Sequence, residues 1–223
     1  MIFDGFLAQL LLGTWITIKL AGCALVLGLS LGIIGMLGST SKISGLRYLS
    51  RIFISLIRGL PELLVLFFIY FGSGFILTKI VGQYIEVTSF TAGVIALGLI
   101  FGAYASQTFK GAFRAIPKGQ NEAANALGLS QRRIFWYILL PQAWRHALPG
   151  LSNLWFVLLK DTALVSLIGL ADLMNNAQIA ASSTQKPFTF FAVTGVIYLL
   201  LTTVSQYVFN YFIQRSNRHL AHL

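Results

Sequence analysis

A chain of 223 residues that is 57% hydrophobic and only 10% charged, with a mean hydropathy of +0.79, is too apolar for a water-exposed domain, where about a quarter of residues carry charge. Most of its surface must face lipid or another apolar partner. The formal net charge of +10 collects at the ends of apolar runs and in one loop, which marks topology and headgroup contact and argues against nucleic-acid binding.

Met1 to Phe6 lacks a basic start and carries Asp4, so the first apolar run is expected to stay in the mature chain and not act as a cleaved signal. Stretches free of charge extend from Val87 to Phe109 and from Pro187 to Gln214, each longer than the roughly 20 residues that cross a bilayer core as a helix. In hydrocarbon every backbone donor and acceptor must be satisfied within its own segment, which makes these stretches helices. Five spans are predicted: Phe6 to Leu37, Ile52 to Leu77, Thr88 to Phe109, Leu151 to Leu170 and Phe188 to Ile213. Lys160 and Asp161 interrupt the fourth, and Lys19 within the first is expected to snorkel to an interface. The single cysteine, Cys23, excludes an internal disulfide and a cysteine metal cluster. No repeat or linker divides the chain, so residues 1–223 read as one all-α membrane domain.

Basic residues orient these spans. Lys42, Arg47, Arg51 and Arg58 follow the first; Lys110, Arg114, Lys118, Arg132, Arg133 and Arg145 follow the third; Arg215 and Arg218 follow the fifth. The opposite loops hold only Lys79 and Lys186. The positive-inside rule puts the N-terminus outside and the C-terminus in the cytoplasm. His146, His219 and His222 then fall in the cytoplasmic loop or tail and read as solvated side chains, not a metal site.

The loop from Pro117 to Pro141 reads as two short helices around a bend. Pro117 suits a first turn, Asn121 to Leu127 is dominated by helix formers, and Glu122 is expected in the first turn, where the dipole favours an acid. Gly128 suits a left-handed closure, Ser130 can cap the next helix, and Pro141 is expected to end the run. On physics alone two roles stand: an amphipathic loop on the headgroups, helped by Arg132 and Arg133, or a docking helix whose alanines let a partner approach closely.

The residues Glu122-Ala123-Ala124, then Gly128, then Ile138-Leu139-Leu140-Pro141 fill every specified position of a pattern reading Glu-Ala-Ala, three residues, Gly, nine residues, Ile-x-Leu-Pro. This resembles the coupling loop of ATP-binding-cassette (ABC) importer permeases. Arg58-Gly59-Leu60-Pro61 is similar to the Arg-Gly-Thr-Pro motif of the polar amino-acid branch, and Ala103-Tyr104-Ala105, Ile116-Pro117-Lys118-Gly119-Gln120, Leu140-Pro141-Gln142-Ala143, Ala147-Leu148-Pro149 and Leu158 to Thr162 with Ser166 extend the match over nearly the whole chain. The resemblance implies a type I ABC importer permease of the bacterial inner membrane with five transmembrane helices. It places Glu122, Ala123, Ala124, Leu127 and Gly128 against a separate ATPase. It further implies two ATPase copies, a second permease chain, identical or homologous, and an extracytoplasmic substrate-binding protein. ATP and Mg would bind the ATPase, since this chain has no Gly-rich phosphate loop with Lys-Ser/Thr and is expected to need no cofactor and to be no enzyme.

Two departures from the motif bear on cargo: Leu60 stands where relatives have Thr, and Glu62 where they commonly have an apolar residue. An acid there resembles members carrying arginine, histidine or lysine. Independently, ionisable groups within spans are costly and usually face a cavity, and Glu62, Asp161 and Asp172 are the acids available near a path. Glu62 is expected near the distal cation of a basic L-amino acid, Asp161 near its α-amino group, and Arg58 near its carboxylate, with Thr162 and Ser166 alongside. Structural roles stand beside these: Arg58 pairing with Glu62 one turn later, Lys160 and Asp161 neutralising their surroundings, and Asp172 as a polar residue at the outer end of the fourth span. A neutral or acidic polar amino acid is the alternative cargo, and an ATP-independent carrier or channel the rival mechanism.

Overall fold

The structure, a computed structural model, describes residues 5–83 and 87–217, and these are helical apart from connecting turns. Asp4, Arg218, His219 and His222 lie outside the described residues. In chain order the α-helices are α1 (Phe6–Thr40), α2 (Ser44–Gly59), α3 (Glu62–Val81), α4 (Ser89–Ala115), α5 (Lys118–Ala126), α6 (Gln131–Arg133), α7 (Leu140–Asp161), α8 (Leu173–Thr184) and α9 (Pro187–Asn217). A π-helical segment, Ile134–Leu139, joins α6 to α7, and a 3₁₀ segment, Thr162–Ile168, continues α7. Five stretches are long and apolar enough to cross a membrane, as the sequence predicts: Phe6–Thr40, Glu62–Ile80, Ser89–Ala115, Gln131–Ile168 and Pro187–Ser216.

The axis of the bundle is a close crossing of α1 and α4. A Cβ added at Gly28 would lie 2.6 Å from Phe101 Cδ1 and 3.0 Å from the Gly98 carbonyl oxygen. One added at Gly102 would lie 2.8 Å from Leu31 Cβ and 3.1 Å from the Gly28 carbonyl oxygen. Lipid tails are as apolar as leucine, so helices in a bilayer associate through such backbone-close packing. Leu20, Ala24, Leu97, Phe101, Ala105 and Phe109 fill the crossing, and Ala147, Leu151 and Leu158 of α7 close it from the other side.

Two predicted spans differ from the structure. The second is not one helix from Ile52 to Leu77. It breaks at Leu60 and Pro61, both extended, because Pro61 has no N–H and disfavours a helical residue before it. The segment before the break is α2, which runs back along α1. Arg47 Nη1 donates to the Ser41 carbonyl at 3.1 Å and Arg51 Nε to that of Ser39 at 3.3 Å, so cations sit on the negative end of the α1 dipole. The fourth span starts at Gln131, not Leu151, and ends at Ile168. Its early half hid in the loop because Arg132, Arg133, Arg145 and His146 dilute its hydropathy.

One helix was not anticipated. α8 packs Leu173, Ala177, Ala180 and Ala181 against Leu10 of α1 and Phe190 of α9. Asp172 lies four residues past the Ile168 end of the fourth span and is the N-cap of α8: its Oδ1 accepts from the Asn175 N–H at 2.9 Å. The Leu173 N–H donates to Thr17 Oγ1 at 3.2 Å, and Asn176 Nδ2 to the Gln9 carbonyl at 3.0 Å, which tie the cap to α1. Asp172 is wholly buried, and burial pushes its carboxyl from the ordinary 3.8 up to about 6.

Gly28→Val should destabilise the chain by about 1–3 kcal/mol and lower its unfolding midpoint in detergent by several degrees. Gly22→Val, on the same helix with open space around it, should leave the midpoint unchanged. The Asp172 carboxyl takes up its proton more readily folded than unfolded, so its contribution falls as pH rises from about 4 to about 6 and is flat above. Asp172→Asn should remove that slope from midpoints measured across pH 4 to 7.

Candidate functional site

Two places bring together the residues singled out in the sequence, one on the loop between the third and fourth spans and one inside the bundle. On the loop, α5 starts immediately after Pro117, with the Gln120 N–H bonded to the Pro117 carbonyl at 3.1 Å. It therefore begins one turn earlier than expected, and Glu122 falls in the second turn, where the dipole does little for it. The helix closes as anticipated at Gly128, whose φ is +73°. The Leu129 N–H reaches the Ala124 carbonyl at 3.2 Å and the Gly128 N–H that of Asn125 at 2.9 Å, a Schellman closure that needs a left-handed residue at Gly128. Asn125 links the bend, donating to the Asn121 carbonyl at 2.8 Å and accepting from Gln131 Nε2 at 2.6 Å.

The expected contact set divides. Glu122, Ala123, Leu127 and Gly128 are exposed, Leu127 at 79%, while Ala124 is 2% exposed and turns inward. Gly119, Glu122, Ala123 and Ala126 recur at helical spacing along one exposed face, so the smallest side chains surround the single acid. Ser130 occupies the N-cap position of α6, but its hydroxyl makes no capping bond. Pro141 does not end the run. The π-helical segment before it shifts bonding to five residues, as in Leu140 N–H to Phe135 carbonyl, and Gln142 Nε2 covers the Ile138 carbonyl at 3.0 Å. What the sequence reading missed here is Trp136 and Tyr137, 55% and 80% exposed, which line an open hollow with Ser130, Arg132 and Arg133. Two large aromatics beside a pair of arginines, outside the predicted span, were the available signal.

Inside the bundle, Glu62 opens α3 and Asp161 ends α7, and their carboxyl groups face each other at close range across a niche of about 20 Å³. Tyr104 and Phe101 of α4 and Leu154, Val157 and Leu158 of α7 complete its walls. At about 2 Å per 3₁₀ residue, Asp161 lies about 14 Å below the Ile168 end of its span, near the middle of a roughly 30 Å hydrocarbon core. Lys160 is exposed and turned away, which agrees with the expectation that neighbouring helical residues take different faces. Arg58 does not pair with Glu62 along one helix, since the Pro61 break intervenes; its guanidinium lies over the Tyr104 ring, 5.1 Å from the centroid.

Thr162 and Ser166 are not brought into the niche. Thr162 Oγ1 donates to the Leu159 carbonyl at 2.6 Å and Ser166 Oγ to that of Ala163 at 2.7 Å; both are buried. Thr162 faces Thr17 and Tyr198 on the scaffold side of the bundle. Tyr104 is the niche residue whose role the sequence did not suggest: it appeared only as part of a motif. Lys19 lies over the Trp15 ring, 5.7 Å from its centroid. Among the described residues no group of His, Cys, Asp and Glu could hold a metal ion.

Comparison with known proteins agrees with this architecture. Residues 9–218 match the family model of the binding-protein-dependent transport system inner membrane component. The chain is 48% identical over 204 residues to the arginine ABC transporter permease protein ArtQ of Haemophilus influenzae, covering 92% of this chain and 91% of that protein. It is 44% identical over 208 residues to the histidine/lysine/arginine/ornithine transport system permease protein HisQ of Escherichia coli, covering 90% of each. A crystal structure of an amino acid ABC transporter with histidines contains a chain that superposes with a TM-score of 0.85 at 32% identity, covering 96% of both chains. The five spans, the Gly128-closed loop helix and these matches together make this chain a member of the binding-protein-dependent transport system inner membrane components, with the type I ABC importer permease fold.

Proposed function

We propose that this chain is the permease subunit of an ABC importer for basic L-amino acids such as arginine, histidine or lysine. The observation that carries the cargo is the facing pair Glu62 and Asp161 within the bundle. Two carboxyls turned toward one niche are costly in hydrocarbon unless a cation visits them. A basic amino acid brings two cationic groups, and the pair offers one carboxylate to each. Arg58, over the ring of the niche residue Tyr104, takes the substrate carboxylate. The naming of the arginine and histidine/lysine/arginine/ornithine relatives supports the same cargo.

At about 20 Å³ the niche admits a water molecule and no amino acid, which fits a path that opens only when spans move. Alternating access supplies the movement: ATPases close, the α5 helices are drawn together, and the niche exchanges one side of the membrane for the other. ATP and Mg bind the ATPase pair, a second permease chain completes the path, and the binding protein delivers cargo at the outer face. The N-terminus lies outside and the C-terminus in the cytoplasm, on the charge distribution described above. Glu122, Ala123, Leu127 and Gly128 make the ATPase contact, with Ala124 as the inward anchor of α5.

Glu62→Gln and Asp161→Asn should each lower arginine uptake about 10- to 100-fold at unchanged protein level, the loss expected for a charge-assisted bond of about 1.5–3 kcal/mol. Uptake competition among arginine, histidine, lysine and glutamine reads the cargo directly; unaltered arginine uptake in both variants overturns the assignment of the pair. Gly128→Val and Glu122→Lys should leave the complex assembled in the membrane while ATP hydrolysis no longer drives uptake, read as transport per ATP in proteoliposomes. Normal coupling in both would remove α5 from the ATPase contact.

A further inference from the structure

A cleft of about 550 Å³ opens between α1, α7 and α9, lined by an earlier stretch of α7 than the niche and outside both sites described above. Its walls are apolar, with Leu29, Leu151, Phe209 and Phe212, and its lining includes Arg145 and Arg215 but no acidic residue. Arg145 is partly buried, and Arg215 Nη1 donates to the neutral Tyr211 hydroxyl at 3.3 Å. Two guanidiniums thus share the rim of an oily slot whose described lining holds no carboxylate.

Depth and composition narrow what neutralises them. At about 1.5 Å per helical residue, Arg145 lies roughly 35–40 Å along its span from Ile168, and Arg215 about 42 Å along α9 from Pro187, each just beyond a roughly 30 Å hydrocarbon core. Both therefore stand at headgroup level on the face that carries α5. A second copy of this chain has little to offer there: among the described acids, Glu62, Glu122, Asp161 and Asp172, only Glu122 lies on that face, on the exposed side of α5. A water-soluble partner does not fill apolar walls at membrane depth. Basic pockets between transmembrane helices on the cytoplasmic side suit anionic lipid headgroups, and each arginine near such a surface favours binding by about fivefold.

We propose that this cleft binds one anionic phospholipid of the cytoplasmic leaflet, with its phosphate on Arg145 and Arg215 and an acyl chain along Leu29, Leu151, Phe209 and Phe212. The assembled transporter, purified and offered an equimolar mixture of phosphatidylglycerol and phosphatidylethanolamine, should retain phosphatidylglycerol selectively in native mass spectrometry. Arg145→Gln or Arg215→Gln should each weaken that retention about fivefold and the double variant about thirtyfold. Arg145→Lys with Arg215→Lys, which keeps the charge, should retain the lipid, and Leu29→Trp, which fills the slot without touching charge, should lose it. Equal retention of the two lipids by the wild-type complex, undiminished retention in the double Gln variant, or displacement by inorganic phosphate as readily as by lipid would each overturn the site. So would a cross-link from Phe212 to a second permease chain, because that chain would then occupy the slot. None of these readouts depends on which amino acid is carried.

Discussion

Backbone contact between α1 and α4 is the constraint around which the other helices are arranged. In a bilayer there is no water to drive apolar side chains together, so two helices stay in register only where their surfaces mesh at short range. Gly28 and Gly102 bring the two backbones close enough that a methyl group at either position would collide with its neighbour. α4 is consequently the most enclosed of the spans, with 61% of its membrane window buried, whereas α3 and α9 are each 11% buried and lie at the margins. The fixed pair supplies the wall, Tyr104 and Phe101, against which the acids of α3 and α7 converge. The marginal helices present the surfaces on which other molecules can sit.

The chemistry follows from where helices end. Glu62 and Asp161 converge at helix termini: one just after the Pro61 break, the other where α7 tightens into a 3₁₀ segment. Mid-membrane helix ends leave polar backbone groups unpaired, a condition tolerated only beside a cavity or within protein. The same economy of means appears at α5, where the αL residue Gly128 turns the chain and permits the next span to begin within a few residues.

Much of this was legible in the residues. Uncharged runs located five spans because length and hydropathy are strong signals in lipid, and breakers and helix formers located the short helix around Glu122, while only its resemblance to the importer coupling loop suggested a docking role. Glu62 and Asp161 were found as ions in apolar surroundings. What was not legible depended on tertiary contact. Thr162 and Ser166 share a motif with Asp161, yet the 3₁₀ winding turns their hydroxyls onto their own backbone. Ala124 belongs to the same motif as Ala123 but faces inward, since motif membership carries no information about which side of a short helix is covered. The burial of Asp172 was not legible because it depends on α8, whose cap the carboxyl forms with the Asn175 N–H while the neighbouring Leu173 N–H reaches Thr17 of α1. Gly28-x-x-x-Gly32 and Gly98-x-x-x-Gly102 passed unremarked in the sequence, because only their mutual approach gives them meaning.

The helical path from Gln131 to Ile168 carries a mechanical consequence. It begins three residues after Gly128 and contains Asp161 without an intervening loop, so the cytoplasmic elbow and the mid-membrane acid are two points on one stiff spar. At about 1.5 Å per residue they are roughly 45 Å apart, and a tilt of about 10° pivoted at one end swings the other by about 8 Å. Rocking of that size exceeds the width of a side chain. No relay of rotamer changes is required between a push at the cytosolic rim and a change in the company Asp161 keeps.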